Sequence, residues 1–396
     1  MKVVVVSHAC VLPINQMFYG EVEKATGWSL SFIVPATWKN EYVDEIKPTR
    51  SEYLKGVIHR IPVWRPGNIP LHLYRSWLTG VLKEERPDAI YVHHEPYGLA
   101  TAQVYAANRF ATSCPIGFYA AQNIAKNYPA PIRMLERYVL ARSNFCFPVT
   151  EGALSVLRGK GYGGIAEVLP LAVDDKVYYP RPLEAQKLRD LLQIASDDFV
   201  VGYLGRLVEE KGLRTLIQAL SAIADQRWSC VIAGAGPIES QLRDEAKRAG
   251  LANRIHIVGY VPHDQAPDWL SLFDVLVLPS ETKRHWKEQF GRVLVEANAC
   301  GTAVIGSACG EIPAVIRSTR GGIVVPEAAP QALADAIADL LHDRNKLHEL
   351  SGRGRSAATT EYKQTRLAGK FSAVLEQVVT SARRVQRAAE AKAVCL

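Results

Sequence analysis

Two cations and two carboxylates in the second half of the chain carry the clearest chemical potential. In "YLGRLVEEKG" (203–212), a strand-like run ends at Leu204, Gly205 permits a tight turn, Arg206 follows at once, and Lys211 stands just ahead of a helical pattern. Two cations where a strand passes into a helix can hold a diphosphate, Arg206 through its planar fork and Lys211 as a point charge. The same side chains can equally pair at the surface with Glu209 and Glu210. In "KEQFGRVLVEANACG" (287–301), Glu288 and Glu296 stand eight positions apart, and Glu296 is embedded among Val293, Leu294, Val295, Ala297 and Ala299. A buried carboxylate without a partner is strongly unfavourable. Glu296 therefore calls either for an ion pair with Arg206 or Arg292, or for a ligand diol whose two hydroxyls donate to it. A helix starting close to Gly291 would aim its unpaired N–H groups at an anion, with Glu288 just ahead of it.

The first half offers less. "PDAIYVHHEP" (87–96) closes a strand with His93, His94 and Glu95. Such a group can bind metal, but consecutive residues of a strand point to opposite faces, which argues against it. His8, at the end of the first strand, either lines a cleft or satisfies a turn. "VIAGAGPIES" (231–240) resembles a dinucleotide fingerprint only superficially, because Glu239 fills the third glycine position and Pro237 opens the helix. "HRIPVWRPGNIPLHLYRSW" (59–77) mixes Arg60, Arg65 and Arg75 with Trp64, Tyr74 and Trp77. That mixture suits an anionic membrane or a carbohydrate surface, or else a loop and helix that pack their aromatics inward.

These residues need a scaffold, and the periodicity supplies an α/β one. Short β-branched runs (3–6, 30–34, 89–92, 116–119, 200–204, 230–233, 255–258, 275–278, 303–306) alternate with helical segments such as 213–224 and 237–249. Alternation of this kind builds parallel sheets covered on both faces. The series restarts near Phe199 after the proline-rich stretch "LPLAVDDKVYYPRP", so the expected domains are 1–178 and 183–372, with a C-terminal helix over about 375–396 packing back on the first. Tandem Rossmann-like domains imply a ligand crevice at the strand C-terminal ends. A chain of 396 residues is long enough for two cores. The seven cysteines form no CxxC pair, which points to a reducing, cytoplasmic setting. No apolar run approaches the ~20 residues that span a bilayer. The net charge of +7 lies mostly in the first half, where 18 basic residues face 13 acidic ones up to position 170. That surplus fits an anionic partner, but no basic run or reading motif suggests nucleic acid.

Taken in order, "YLGRLVEEKG", "VIAGAGP", "IVGYVP", "FDVLVLPS", "EQFGRVLVEANACGTAVIGSACGEIPAVI" and "GGIVVP" resemble the nucleotide-sugar-binding domain of the retaining glycosyltransferases of family 4. The likeness is strong over about 200–330 and loose before it. It implies the GT-B fold: two Rossmann-like doubly wound parallel-sheet domains facing each other across a cleft. Glu288 and Glu296 match the two glutamates of that family's EX7E motif.

The resemblance implies roles. Arg206 and Lys211 would neutralise the diphosphate of a UDP- or GDP-sugar, UDP-glucose being favoured. Gly205, Gln289 and the backbone of Phe290, Gly291, Arg292 and Val293 would complete the donor site. Glu296 would accept the ribose hydroxyls, Glu288 would hold sugar hydroxyls, and Val261 would meet the nucleobase. No metal or other cofactor is expected, because the cations take that part. The implied activity is hexosyl transfer with retention to a saccharide or lipid-linked acceptor in polysaccharide or glycoconjugate synthesis; the aromatic and basic residues of 59–77 add the expectation of peripheral contact with the inner face of an anionic membrane. The alternatives are a nucleotide-sugar epimerase on the same fold and a non-catalytic nucleotide-sugar-binding protein. Two departures stand out. "SHACVLPINQMFYG" (7–20) lacks the paired glycine common after the first strand, and "PIGFYAAQNIAKNYP" (115–129) offers Tyr119, Gln122 and Asn123 where relatives carry a sugar-side His. Together with His94, these are the candidates for sugar or acceptor contact.

Overall fold

A computed structural model describes residues 1–39 and 45–394. The chain divides into two units, one of residues 1–170 with the C-terminal segment from Gln364, the other of residues 171–363.

The sheet of the first unit contains β1 (Lys2–Val6), β2 (Ser29–Pro35), β3 (Val57–Ile61), β6 (Ala89–Val92), β7 (Ile116–Ala120), β8 (Phe145–Pro148) and β9 (Ile165–Ala166). All pairings are parallel, in the order β3-β2-β1-β6-β7-β8-β9. A separate antiparallel ribbon joins β4 (Val63–Trp64) to β5 (Leu73–Tyr74). The run of valines in β1 shows why the sheet is buried on both sides. Val3 and Val5 enter one core with Leu30 and Phe32, while Val4 and Val6 enter the other with Ile33, Ile90 and Val92.

The second unit repeats the plan with β10 (Phe199–Leu204), β11 (Trp228–Ala233), β12 (Ile255–Gly259), β13 (Val275–Leu278), β14 (Ala303–Ser307) and β15 (Gly322–Val325), parallel in the order β12-β11-β10-β13-β14-β15. In each sheet the winding reverses at one place, between β1 and β6 and between β10 and β13. Loops leaving such a pair diverge and open a crevice at the strand C-terminal ends.

The boundaries differ from those expected. Residues from Leu171 belong to the second unit, where the Val173 N–H donates to the Tyr362 carbonyl (2.8 Å) and Arg181 pairs with Asp268 (2.8 Å). The C-terminal helix starts at Gln364, not near 375, and residues 395–396 of the expected segment lie outside the described residues. Its early start has a packing reason. Ala368, Phe371, Leu375, Val378 and Val379 recur at helical spacing and join the core containing Val3, Val5 and Phe32. Lys370 to Glu167 (2.8 Å) and Arg383 to Asp88 (2.6 Å) flank that stripe. No described helix is long and apolar enough to cross a membrane.

Phe371 is fully buried and stacks on Phe147 with ring centroids 4.9 Å apart, with Tyr91 edge-on at 5.2 Å. Phe371→Ala is expected to cost about 3–5 kcal/mol. Denaturant unfolding should show an earlier transition, and a loss well below about 1 kcal/mol would mean that the helix contributes little to this core.

Candidate functional site

The second sheet brings its candidate residues to its own reversal point. The Gly205 N–H donates to the Ala233 carbonyl (3.0 Å), and the Tyr203 hydroxyl fixes the Arg206 carbonyl (2.7 Å). The Arg206 guanidinium is partly exposed and stands 3.9 Å from Glu210, the long limit of an ion pair. Lys211 is held differently. Its Nζ donates to Glu288 Oε2 at 2.5 Å and lies 5.0 Å from the centre of the Trp286 ring. Of the surface pairings that the sequence left open, Arg206 therefore approaches one, while Lys211 turns toward Glu288.

Two close backbone approaches make that contact possible. Gly212 is left-handed (φ 65°), and a Cβ there would overlap the Pro279 carbonyl oxygen, so the loop after β10 lies directly against the end of β13. Gly310 (φ 56°) lets its backbone meet that of Glu288, whose carbonyl accepts the Glu311 N–H at 3.0 Å. Ser280 adds a hydroxyl bond to the same carboxylate oxygen that Lys211 uses (3.1 Å), and Cys309 Sγ accepts the Glu288 N–H at 3.5 Å.

The helix expected near Gly291 runs Arg292–Ala299. Gly291 is its left-handed N-cap (φ 75°), and no side chain caps this end. Phe290 is buried, while Gln289 and Val293 are half-buried around the helix start. Glu296 is 4% exposed and has chosen Arg292, with Oε1 and Nε 2.9 Å apart. The contact is electrostatic but poorly aligned, and neither atom has a hydrogen-bond partner. Tyr178 approaches the same carboxylate, and burial together with the Glu296 charge pushes its phenol upward. Val261, half-buried, lies in the loop after β12.

The first sheet gathers the other candidates beyond β6 and β7. His93 and His94 do turn to different partners: His93 Nδ1 meets the Tyr19 hydroxyl (2.8 Å), while His94 Nε2 accepts the His8 backbone N–H (2.9 Å). The Tyr119 ring packs against His93 at a tilt, with centroids 4.5 Å apart. Gln122 and Asn123 are buried in the turn after β7. Glu95 holds that turn, with its Oε1 accepting the N–H groups of Ala121 (2.8 Å) and Gln122 (3.1 Å).

Ser280, Trp286, Cys309 and Tyr178 belong to these clusters without standing out in the sequence. Ser280 lies two residues past the end of β13, where the apolar run "VLVL" makes the strand end legible. Tyr178 and Cys309 reach the site only through tertiary approach.

Two Rossmann-like parallel sheets, each with its crossover crevice, define a protein of the GT-B class. Residues 184–357 match the family Glycosyl transferases group 1. A GDP-mannose-dependent alpha-(1-6)-phosphatidylinositol monomannoside mannosyltransferase of Mycobacterium tuberculosis is 33% identical over 210 residues, 52% of this chain and 54% of that protein. A 2-deoxystreptamine N-acetyl-D-glucosaminyltransferase of Streptomyces fradiae is 27% identical over 308 residues, 69% of each chain. The chain thus spans about half the length of the mycobacterial relative. Among solved structures, a sucrose-phosphate synthase of Thermosynechococcus elongatus superposes with a TM-score of 0.75 at 20% identity, covering 96% of this chain and all of that one. Anabaena HepE in complex with UDP gives 0.74 at 17% identity, covering 95% of this chain and 100% of its own. At such identities the structural likeness concerns the fold.

Glu95 provides a pH test of the turn that holds Gln122 and Asn123. Burial pushes its carboxyl up to about 7, against the two N–H bonds that favour ionisation. The native state then binds more protons than the unfolded chain between about pH 4.3 and 7, so this group's contribution to stability declines as pH rises through that window. In Glu95→Gln the amide oxygen still accepts both N–H groups. The variant should match the parent near pH 4 and exceed it near pH 8 in thermal melts, and an unchanged pH profile would contradict the assignment.

Proposed function

We propose that the chain is a retaining glycosyltransferase that moves a hexose from a nucleoside diphosphate sugar to a saccharide or lipid-linked acceptor. The observation that carries this reading is the Lys211–Glu288–Ser280 cluster at the reversal point of the second sheet, within the group 1 domain. UDP-glucose is the proposed donor. GDP-mannose is the competing one, since the mycobacterial relative is a GDP-mannose-dependent enzyme.

In this reading Arg206 and Lys211 neutralise the diphosphate, and the N–H groups at the start of helix Arg292–Ala299 add donors. Glu296 accepts the ribose hydroxyls through the oxygen that Arg292 leaves without a hydrogen bond. Glu288, already ionically tied to Lys211, presents its carboxylate to the sugar hydroxyls. Val261, Gln289 and Gly205 shape the base and phosphate pockets. Retention requires the sugar–phosphate bond to break while the acceptor approaches the same face. The leaving diphosphate takes the acceptor's proton, and the chain's cations stabilise the charge that grows on it. His94, Tyr119, Gln122 and Asn123 are the proposed sugar and acceptor contacts of the first domain.

The reading also includes a cytoplasmic enzyme that touches an anionic membrane. Trp64 and Trp77 are 55% and 75% exposed beside the exposed Arg60, Arg65 and Arg75, with Arg75 6.0 Å from the Trp64 ring centre.

Thermal-shift screening against nucleotide sugars, followed by release of nucleoside diphosphate, tests the activity directly. Arg206→Ala and Lys211→Ala should each lower kcat by roughly 10²–10³-fold. Near-normal turnover in both would remove the diphosphate assignment. Separately, the protein should pellet weakly with phosphatidylglycerol-containing vesicles and be released by salt. Binding indifferent to salt or lipid charge would count against the membrane contact.

A further inference from the structure

Three imidazoles that the donor chemistry leaves unused meet at the reversal point of the first sheet. His8 follows β1, His94 follows the adjacent β6, and His72 immediately precedes β5. Each brings a ring nitrogen to within 4.8 Å of the others. His8 stacks on His94 with centroids 4.8 Å apart, and His72 stands edge-on to both at 5.6 and 5.0 Å. Trp38 backs His8 and His72 at 5.0 Å each. His72 and His94 are 1% and 3% exposed, whereas His8 is half-buried and forms the open side.

The protons of this cluster can be assigned. The His8 backbone N–H donates to His94 Nε2 (2.9 Å), so neutral His94 carries its own proton on Nδ1. His72 Nδ1 lies 2.8 Å from the Ile69 carbonyl and must donate to it, so His72 Nε2 keeps its lone pair. Burial lowers all three rings, His8 to about 3, and other histidines reinforce the effect at His8 and His94, so the neutral forms are the relevant ones. The result is a buried donor at His94 Nδ1 and a buried acceptor at His72 Nε2, with His8 Nδ1 beside them, and none of the three has a partner. Buried polar atoms of opposite sense and without partners, within one cluster of touching rings, call for a group that both accepts and donates.

We propose that this cluster binds one uncharged hydroxyl group of a polyol or sugar, which accepts from His94 Nδ1–H and donates to His72 Nε2. The inference rests on the transferase reading for the identity of the ligand as acceptor, and it makes the anchoring part of that acceptor neutral. An ammonium group donates to His72 but cannot accept from His94, and a carboxylate does the reverse. A divalent cation needs a lone pair from each ring at about 2.0–2.1 Å. His94 has only one, and the His8 N–H already occupies it. The place suits a ligand as well, being the strand C-terminal ends where the winding reverses.

The experiment uses the full chain labelled with ¹⁵N-histidine, saturated with UDP, and titrated with myo-inositol or methyl α-D-glucopyranoside. Long-range ¹H–¹⁵N correlation should report saturable shifts at His94 Nδ1 and His72 Nε2 with both tautomers retained. His72→Phe should weaken binding of the probe by roughly tenfold or more, and His72→Gln, which keeps an acceptor, should restore part of it. UDP affinity in these variants should be unchanged, which also verifies that they fold. No saturable shift with either probe overturns the proposal, since the cluster then holds an ordered water alone. Tight uptake of one Zn²⁺ per chain from zinc chloride, with loss of the His94 Nδ1 proton, overturns it in favour of a metal site. Probe binding in a chain that releases no diphosphate from any donor would uphold the hydroxyl site while removing the transferase reading, and the converse result would do the opposite.

Discussion

The ion pair between Lys211 and Glu288 joins two loops 77 residues apart in sequence, and the second unit's site is organised around it. A cation and a carboxylate this enclosed hold each other at the expense of hydration, and such a pair is worth little unless further hydrogen bonds complete it. The Ser280 hydroxyl supplies one of them, and the Trp286 ring covers the ammonium. The backbone makes room through Gly212 against Pro279 and Gly310 against Glu288, where a side chain of any size would separate the loops. The pair depends on the strand order, because β10 and β13 are neighbours in the sheet and the loops that follow them start side by side before they diverge.

The same geometry recurs in the first sheet with different chemistry. At its reversal point stand neutral imidazoles and, in the turn beyond β7, a carboxyl whose burial favours the protonated form. One unit therefore offers fixed charges and the other offers uncharged donors and acceptors.

Much of this was legible in the residues, for identifiable reasons. The β-branched runs of β1, β2, β10, β11, β13 and β14 lie at the centre of sheets buried on both faces, where composition alone marks a strand. β8, "FCFP", and the two-residue β9 carry no such pattern and exist because β7 offers β8 a parallel edge and β8 in turn offers one to β9. Glu296 and Arg292 stand four apart on one helix, so their contact was among the pairings foreseen. The Lys211–Glu288 contact was not, since it depends on two glycine-permitted loop approaches that no local pattern encodes. The start of the helix at Gln364 is not legible because its first turns, "QTRLAGK", set Leu367 and Ala368 among polar residues and a glycine before Phe371 begins the apolar stripe. The imidazole cluster escaped notice because its third member, His72, comes from a ribbon outside the main sheet.

Glu296 shows how burial and function meet on one side chain. Its carboxylate lies in a helix whose neighbours Leu294, Val295, Ala297 and Ala299 are all core, and a carboxylate there without any counter-charge would be strongly destabilising. Arg292 provides the counter-charge at 2.9 Å, one helical turn away, without an aligned hydrogen bond to Oε1, and Tyr178 approaches the same carboxylate. An apolar residue would pack there more simply, and a well-aligned bidentate arginine would leave nothing for a ligand to bond. The imperfect i,i+4 pair occupies the middle ground. It keeps the fold from bearing a bare buried charge, and under the proposed function the remaining acceptor is where the ribose hydroxyls would bond.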